Sequence, residues 1–261
     1  LRIASVAKSG VSSLATPTLP KLVELDVSGN ALPDLADAFG ALTTATPLLH
    51  TLNLAHNPLR GEVKEPPAGA TLARLRTLVL DGTGVTWGGL GGLGAWAPGL
   101  VELSVGGCGL ETLEPPDLPA LVILQAPRNR ISSWEGVMPC GGLPLHTLVL
   151  SDNPLVNVGP PGDSFTALRT LWLSNTAIAD FVSVRSVGAL PALVDVRLKG
   201  VPVFDGLPAD EARLLCISLL PNLPSGAGLQ TVGSETCGKL NGSAVSRFER
   251  RDAEAFAERY H

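Results

Sequence analysis

The chain has 261 residues, 45% of them hydrophobic and only 16% charged, with 19 Lys+Arg against 24 Asp+Glu for a net charge of −5. That apolar share supports a buried core and excludes a disordered chain. The acidic balance excludes phosphate-backbone binding as the main task, since that needs a basic stripe. No run of about eighteen apolar residues marks a membrane span, and no basic-then-apolar opening marks a signal peptide. The chain opens on Leu1 rather than Met and reads as a piece of a longer protein, expected to be monomeric; the charge balance and the lack of a long apolar run point to no nucleic-acid or membrane partner.

Taken in chain order, the elements repeat. The pattern L-x-x-L-x-L-x-x-N-x-L fits nine consecutive times, with starts at 1, 22, 49, 75, 100, 121, 145, 168 and 193. Successive starts differ by 21 to 27 residues, inside the window of about 20–29 for leucine-rich repeats. The first repeat is degenerate (Leu1, Ala4, Val6, Ser9, Val11), and the ninth has Val201 where a polar residue is expected. The repeats between them carry Asn30, Asn57, Thr83, Cys108, Asn129, Asn153 and Thr176 at that ninth position.

The expected fold class is an α/β solenoid, a leucine-rich repeat horseshoe of about nine repeats. A parallel β-sheet lines its concave face, loops and short helices its convex face, and a helical cap closes the C-terminal end. Residues 1–205 form the repeats and residues 206–261 the cap. The first, fourth, sixth and eleventh positions point inward, and the fourth-to-sixth alternation is a short strand. An Asn at the ninth position can satisfy buried backbone groups where the chain turns off the strand. Cys108 falls on that rung and is structural there.

Between strands, Pro33 to Thr46 reads as a short helix that Pro47 ends. Gly61 to Gly69, Trp87 to Pro98 and Val156 to Asp163 read as loops with 3₁₀ turns. After the ninth repeat, Asp210 to Leu220 reads as an amphipathic helix with acidic residues at its start. Pro224 to Lys239 is a Gly/Ser-rich insertion, read as a flexible loop. Ser246-Arg247-Phe248-Glu249 is a capping box opening a last helix to about Tyr260. Cys108, Cys140, Cys216 and Cys237 are scattered like reduced intracellular thiols, with a Cys216–Cys237 bridge left open.

No catalytic constellation is legible. Gly89 to Gly94 fits G-x-G-x-x-G, but Trp96, Ala97 and Pro98 close the segment before a long helix can follow. His50, His56, His146 and His261 are too dispersed for one metal site. A binding face remains. In such repeats the second, third, fifth, seventh and eighth positions face the concave surface. Fifth positions include Asp26, Asn53, Gln125, Trp172 and Arg197, and third positions add Glu24, Glu102 and Asp195. Eighth positions add His56, Arg128, Asp152 and Asn175. These are the candidate partner-binding residues, and Trp172 beside Arg197 one repeat on has hot-spot composition. The acidic members Glu24, Asp26, Glu102 and Asp195 read more readily as ordinary solvated charges.

The last segment adds a resemblance. LLPNL at 219–223, LNGSAVS at 240–246 and FERRDAEAFAERY at 248–260 resemble the cap of the leucine-rich repeat domain of tubulin-binding cofactor E, the tubulin-specific chaperones. Pro224 to Lys239 departs from that pattern, since family members usually join the two cap halves directly. The resemblance implies a non-catalytic domain that binds α-tubulin while the heterodimer is assembled or dismantled. It also implies other tubulin-folding cofactors as partners, a cytoplasmic, cytoskeleton-associated location, and no cofactor or metal. Full chains of the family usually add CAP-Gly and ubiquitin-like domains, neither of which lies within these residues. Related caps in spliceosomal and nuclear-export leucine-rich repeat proteins leave a generic protein-binding scaffold as the alternative. An RNA-associated scaffold should have a basic concave face, and this one is mixed.

Overall fold

Repeats this short leave room for few extended residues before the chain turns away, and each contributes one strand of three. The structure is a computed structural model describing residues 2–14, 18–226 and 237–260, the side chains of 259 and 260 excepted. Leu1, His261, the Tyr260 side chain and residues 227–236 of the expected insertion lie outside the described residues.

The chain divides into two compact units, Leu1–Asn129 and Arg130–His261. In the first, β1 (Ile3–Ser5), β2 (Glu24–Asp26), β3 (Thr51–Asn53), β4 (Thr77–Val79), β5 (Glu102–Ser104) and β6 (Ile123–Gln125) pair in parallel, each with the next. In the second, β7 (Thr147–Val149), β8 (Thr170–Trp172) and β9 (Asp195–Arg197) continue the same arrangement. There β10 (Lys239–Leu240) adds in parallel to β9, and β11 (Ser243–Ala244) folds back antiparallel. Each unit is a stack of leucine-rich repeats.

The register matches fourth positions: Leu25, Leu52, Leu78, Leu103 and Leu124 in the first unit, and Leu148, Leu171, Val196 and Leu240 in the second. All are buried, as are the first- and sixth-position residues from the second repeat onward. Each buried Leu contributes about 1.5–3 kcal/mol. Val6 of the first repeat stays 41% exposed, because β1 is paired on one side only.

The strands occupy the third to fifth positions, one residue earlier than expected. Sixth residues still donate to the neighbouring strand (Val27 N–H to Asn53 O and Leu54 N–H to Val79 O, both 2.9 Å), and then the chain turns. At the eighth position every repeat enters the left-handed region. Lys8, His56, Arg128, Asp152 and Asn175 have φ between 53 and 60°, and Gly29, Gly82, Gly107 and Gly200 fill the other repeats. Glycine enters this region freely and Asn or Asp tolerate it, whereas Lys, His and Arg must be held there.

The ninth-position rung holds it. The Asn129 Oδ1 accepts from the N–H groups of Cys108 (3.0 Å) and Leu110 (3.1 Å). Its Nδ2 donates to the carbonyls of Val105 (2.9 Å) and Ala126 (3.1 Å). Asn30 bonds Ser9, Val11, Val6 and Val27 in the same way. Each amide thus pairs backbone groups of two repeats that burial would otherwise leave unsatisfied. The Thr83 and Thr176 hydroxyls bond carbonyls of their own repeats, Leu80 O (2.6 Å) and Leu173 O (2.8 Å), and Thr83 reaches the next repeat through a 3.8 Å contact with Cys108 Sγ.

Helices fill some connections. In the first unit, α1 (Leu35–Ala45) starts at Asp34, whose carboxylate accepts from the Asp37 N–H at 3.0 Å, and buries Leu35, Ala38, Phe39 and Leu42. The Gly89–Gly94 run becomes a 3₁₀ turn (Gly88–Leu90) and the single-turn helix α2 (Leu93–Trp96). A Cβ at Gly92 would collide with the Val63 carbonyl, and one at Gly94 with the Asp117 carbonyl. These glycines admit neighbouring backbone, which accounts for the motif without a nucleotide. In the second unit, α3 (Phe181–Gly188) is capped by Asp180 through the Ser183 N–H (2.7 Å).

The end of the second unit is tied together by charge. Here α4 (Ala209–Leu219) packs against α5 (Arg247–Tyr260). Arg213 Nε lies 2.8 Å from Glu249 Oε1, and the Arg250 guanidinium donates to Ile217 O (2.5 Å) in α4's last turn and to Leu223 O (2.6 Å) just beyond it. The expected capping box forms: Glu249 Oε2 accepts from the Ser246 N–H (2.9 Å), and Ser246 Oγ accepts from the Glu249 N–H (3.2 Å). A two-residue turn at Asn241-Gly242 joins β10 to β11, and Asn241 Oδ1 accepts from the Leu198 N–H at 2.7 Å. The cap is therefore part strand, and it extends the sheet between its two helices. All four cysteines are free. Burial pushes the Cys140 and Cys216 thiols up to about 12.

Candidate protein-binding face

Third and fifth side chains of every strand project from the same side, opposite the buried fourth. In the first unit most polar groups on that side are already engaged. Asp26 Oδ1 accepts from the Ser28 N–H (2.9 Å) and Asn53 Oδ1 from the Ala55 N–H (3.0 Å), each closing its own turn. Glu102 bridges three strands, accepting from Thr77 Oγ1 (3.3 Å) on β4 and from Gln125 Nε2 (2.7 Å) on β6. Glu24, His56 and Arg128 are exposed, the latter two on left-handed turns. Asp81, a seventh-position residue outside the twelve candidates, accepts from Ser104 Oγ and the Gly106 N–H, both at 2.7 Å.

The second unit is arranged differently. Asp152 and Asn175 are exposed and paired (2.8 Å). The Arg197 guanidinium lies 3.6 Å over the Trp172 ring, a cation–π contact between matched residues of β8 and β9. Trp172, Asp195 and Arg197 are half-buried. Yet the Trp172 Nε1, Asp195 Oδ1 and Arg197 Nε atoms are themselves shielded and have no hydrogen-bond partner. Such unpaired groups are rare in folded proteins. Beside them a depression of about 320 Å³ is lined by His146, Arg169, Thr170, Asp195, Cys237 and Lys239, among others.

The twelve sequence candidates are thus divided between the units. Trp172, Asp195 and Arg197 share one patch, whereas Glu102 and Gln125 satisfy each other. Arg169 lies at a second position and was open to the same positional reading. Lys239 joins the face only because the cap supplies β10. Among the described residues, no three His, Cys, Asp or Glu side chains converge to hold a metal, and no helix is long and apolar enough to cross a membrane.

Known proteins resemble the chain along most of its length. No family model matches it. The human "Tubulin-specific chaperone cofactor E-like protein" is 30% identical over 246 residues, 91% of this chain and 54% of the relative. The Arabidopsis thaliana "Tubulin-folding cofactor E" is 30% identical over 276 residues, 97% of this chain and 49% of the relative. Human "Tubulin-specific chaperone E" is 26% identical over 236 residues, covering 85% and 44%. The chain spans about half the length of the curated relatives it matches.

Solved structures agree on the fold. The chain superposes on TLR13, from the crystal structure of a TLR13–ssRNA13 complex, with TM-score 0.51 and 24% identity over 69% of this chain and 25% of that one. It also superposes on the internalin InlF of Listeria monocytogenes with TM-score 0.50 and 17% identity over 84% and 64%. Several curated homologues are therefore tubulin-specific chaperones or tubulin-folding cofactors, and the fold is that of a leucine-rich repeat protein.

Proposed function

We propose that this chain, whose curated homologues are tubulin-folding cofactor E proteins, is the repeat domain of such a cofactor and binds α-tubulin on its strand face without bond chemistry. The observation that carries this reading is the extent of the match. The Arabidopsis relative aligns with 97% of the chain, so the likeness is not confined to a few leucines. Supporting it, the strand face of the second unit joins a half-exposed Trp to a stacked Arg, the composition of interaction hot spots. Holding one subunit while the heterodimer is assembled or dismantled requires a broad, rigid face. Parallel strands pinned by Asn rungs provide that rigidity.

In this reading the domain works in the cytoplasm with other tubulin-folding cofactors, and the exposed Asp152 and Asn175 of the second unit belong to the contact. The test is capture of purified tubulin by the immobilised 261-residue chain, read by quantitative gel. Retention above a bead control is expected, and no retention at micromolar tubulin defeats the proposal.

A further inference from the structure

We infer that the strand face of the second unit takes an acidic polypeptide segment lying extended across β8 and β9. The inference rests on the strand face being the binding face, as proposed above, and names the chemistry of what it holds.

Trp172 and Arg197 are matched partners on adjacent strands, and Asp195 precedes Arg197 by two residues on the same face. Together they leave two donors (Trp172 Nε1 and Arg197 Nε) and one acceptor (Asp195 Oδ1) without partners. A polypeptide backbone presents N–H and C=O groups alternately and can answer both kinds. A phosphodiester backbone offers only acceptors, so it would leave the Asp195 carboxylate unanswered and repel it. The Arg197 guanidinium lies across the indole, and drawing it toward a ligand carboxylate uncovers the Trp172 ring and its N–H.

Charge fixes the character of the segment. Arg169 and Lys239 line the depression beside Asp195, with His146 on its wall, and Arg197 adjoins it. Three permanent cations therefore surround one carboxylate, on a chain whose net charge is −5. The strand face of the first unit is mixed, with Glu24, Asp26, Asp81 and Glu102 beside Arg76 and Arg128, and gathers no comparable set of cations around one carboxylate. Carboxylates spaced along an extended chain meet Arg169, Arg197 and Lys239, while backbone groups meet Asp195 and the indole.

The probe is a fluorescein-labelled peptide of about twelve residues alternating Glu and Gly, titrated by anisotropy with the 261-residue chain. Its Gln/Gly counterpart and an oligouridylate of similar length serve as comparisons. The Glu peptide is expected to bind roughly tenfold more tightly than either, and to weaken as salt rises. The double variant Arg169→Gln/Lys239→Gln, at exposed or half-exposed positions, should lose roughly tenfold in affinity with an unchanged melting curve. Trp172→Phe, which keeps a ring but removes the donor, should also weaken binding, and Glu24→Gln in the first unit should not.

Equal affinity for the Glu and Gln peptides, tighter binding of oligouridylate, or indifference to the double variant overturns the inference. Tubulin capture in parallel separates the two claims. Capture that depends on Trp172 without any Glu-peptide binding removes this inference and leaves the proposed function. Glu-peptide binding without tubulin capture does the reverse.

Discussion

The guanidinium carbon of Arg197 sits 3.6 Å from the centroid of the Trp172 ring, and the two residues face each other across β8 and β9. A contact between neighbouring strands at equal positions stabilises both the sheet and the half-buried indole. It should be measurable as a coupling between the two side chains. Trp172→Ala, Arg197→Ala and the double variant, unfolded in urea, should give an interaction term of about 0.5–1 kcal/mol. A term indistinguishable from zero would show that the stack contributes nothing in solution.

The polar rungs should dominate the stability of the repeats. Asn129→Ala strands the N–H groups of Cys108 and Leu110 and the carbonyls it served. A loss of about 2–4 kcal/mol in urea unfolding is expected, since each orphaned buried group costs about 1–3 kcal/mol. Thr83→Ala removes a hydroxyl that donates to its own repeat and should cost about 1 kcal/mol. Equal losses at the two sites would contradict the view that the Asn amide joins repeats.

How far the sequence carried the fold depended on the kind of signal. The leucine positions were legible because burial at a fixed period leaves a pattern that survives Ala126 and Val196 substitutions. The Trp172–Arg197 contact followed from the same bookkeeping, as fifth positions one repeat apart. Helix α3 was missed because FVSVRSVG is rich in β-branched Val, which weakens helix propensity; its one signal was the capping Asp180 before Ser183. The left-handed eighth column had a visible signature, with Gly29, Gly82, Gly107 and Gly200 in one register with Asp152 and Asn175. The Asn241-Gly242 pair is a hairpin signal. Following it would have placed β10 in the sheet and Lys239 on the strand face. The unpaired atoms of Trp172, Asp195 and Arg197 were beyond the sequence, since pairing depends on side-chain geometry.

Acid should loosen the cap first. Burial raises the Glu249 carboxyl, but the Arg213 hydrogen bond and the Ser246 N–H and hydroxyl outweigh it and leave it below the usual carboxylate range. A carboxyl whose folded value lies below its unfolded one adds stability above the unfolded value, and that stability is lost as pH falls through the folded value. The window therefore opens near the ordinary Glu value of about 4.3 and extends below it. Glu249→Gln should lower the cap's stability at neutral pH and flatten this acid limb, read by amide hydrogen exchange in α5. An acid limb identical in the variant would contradict the assignment.

Thiol reactivity should separate the cysteines. Cys140 and Cys216 are buried with thiols pushed up to about 12, whereas Cys108 and Cys237 are half-buried. At pH 8, a dithionitrobenzoate titration of the native chain should modify no more than Cys108 and Cys237 quickly, with all four reacting after denaturation. Fast modification of Cys140 or Cys216 in the folded chain would show that the core opens there.

The central claim, that a tubulin-folding cofactor's repeat domain holds its partner on the strand face, is tested most directly by titrating α/β-tubulin with the 261-residue chain and its Trp172→Ala variant. Saturable binding that weakens roughly tenfold or more in the variant, with an unchanged far-ultraviolet spectrum, is the predicted result. Equal binding by both proteins would move the contact off the strand face, and no binding by either would contradict the account.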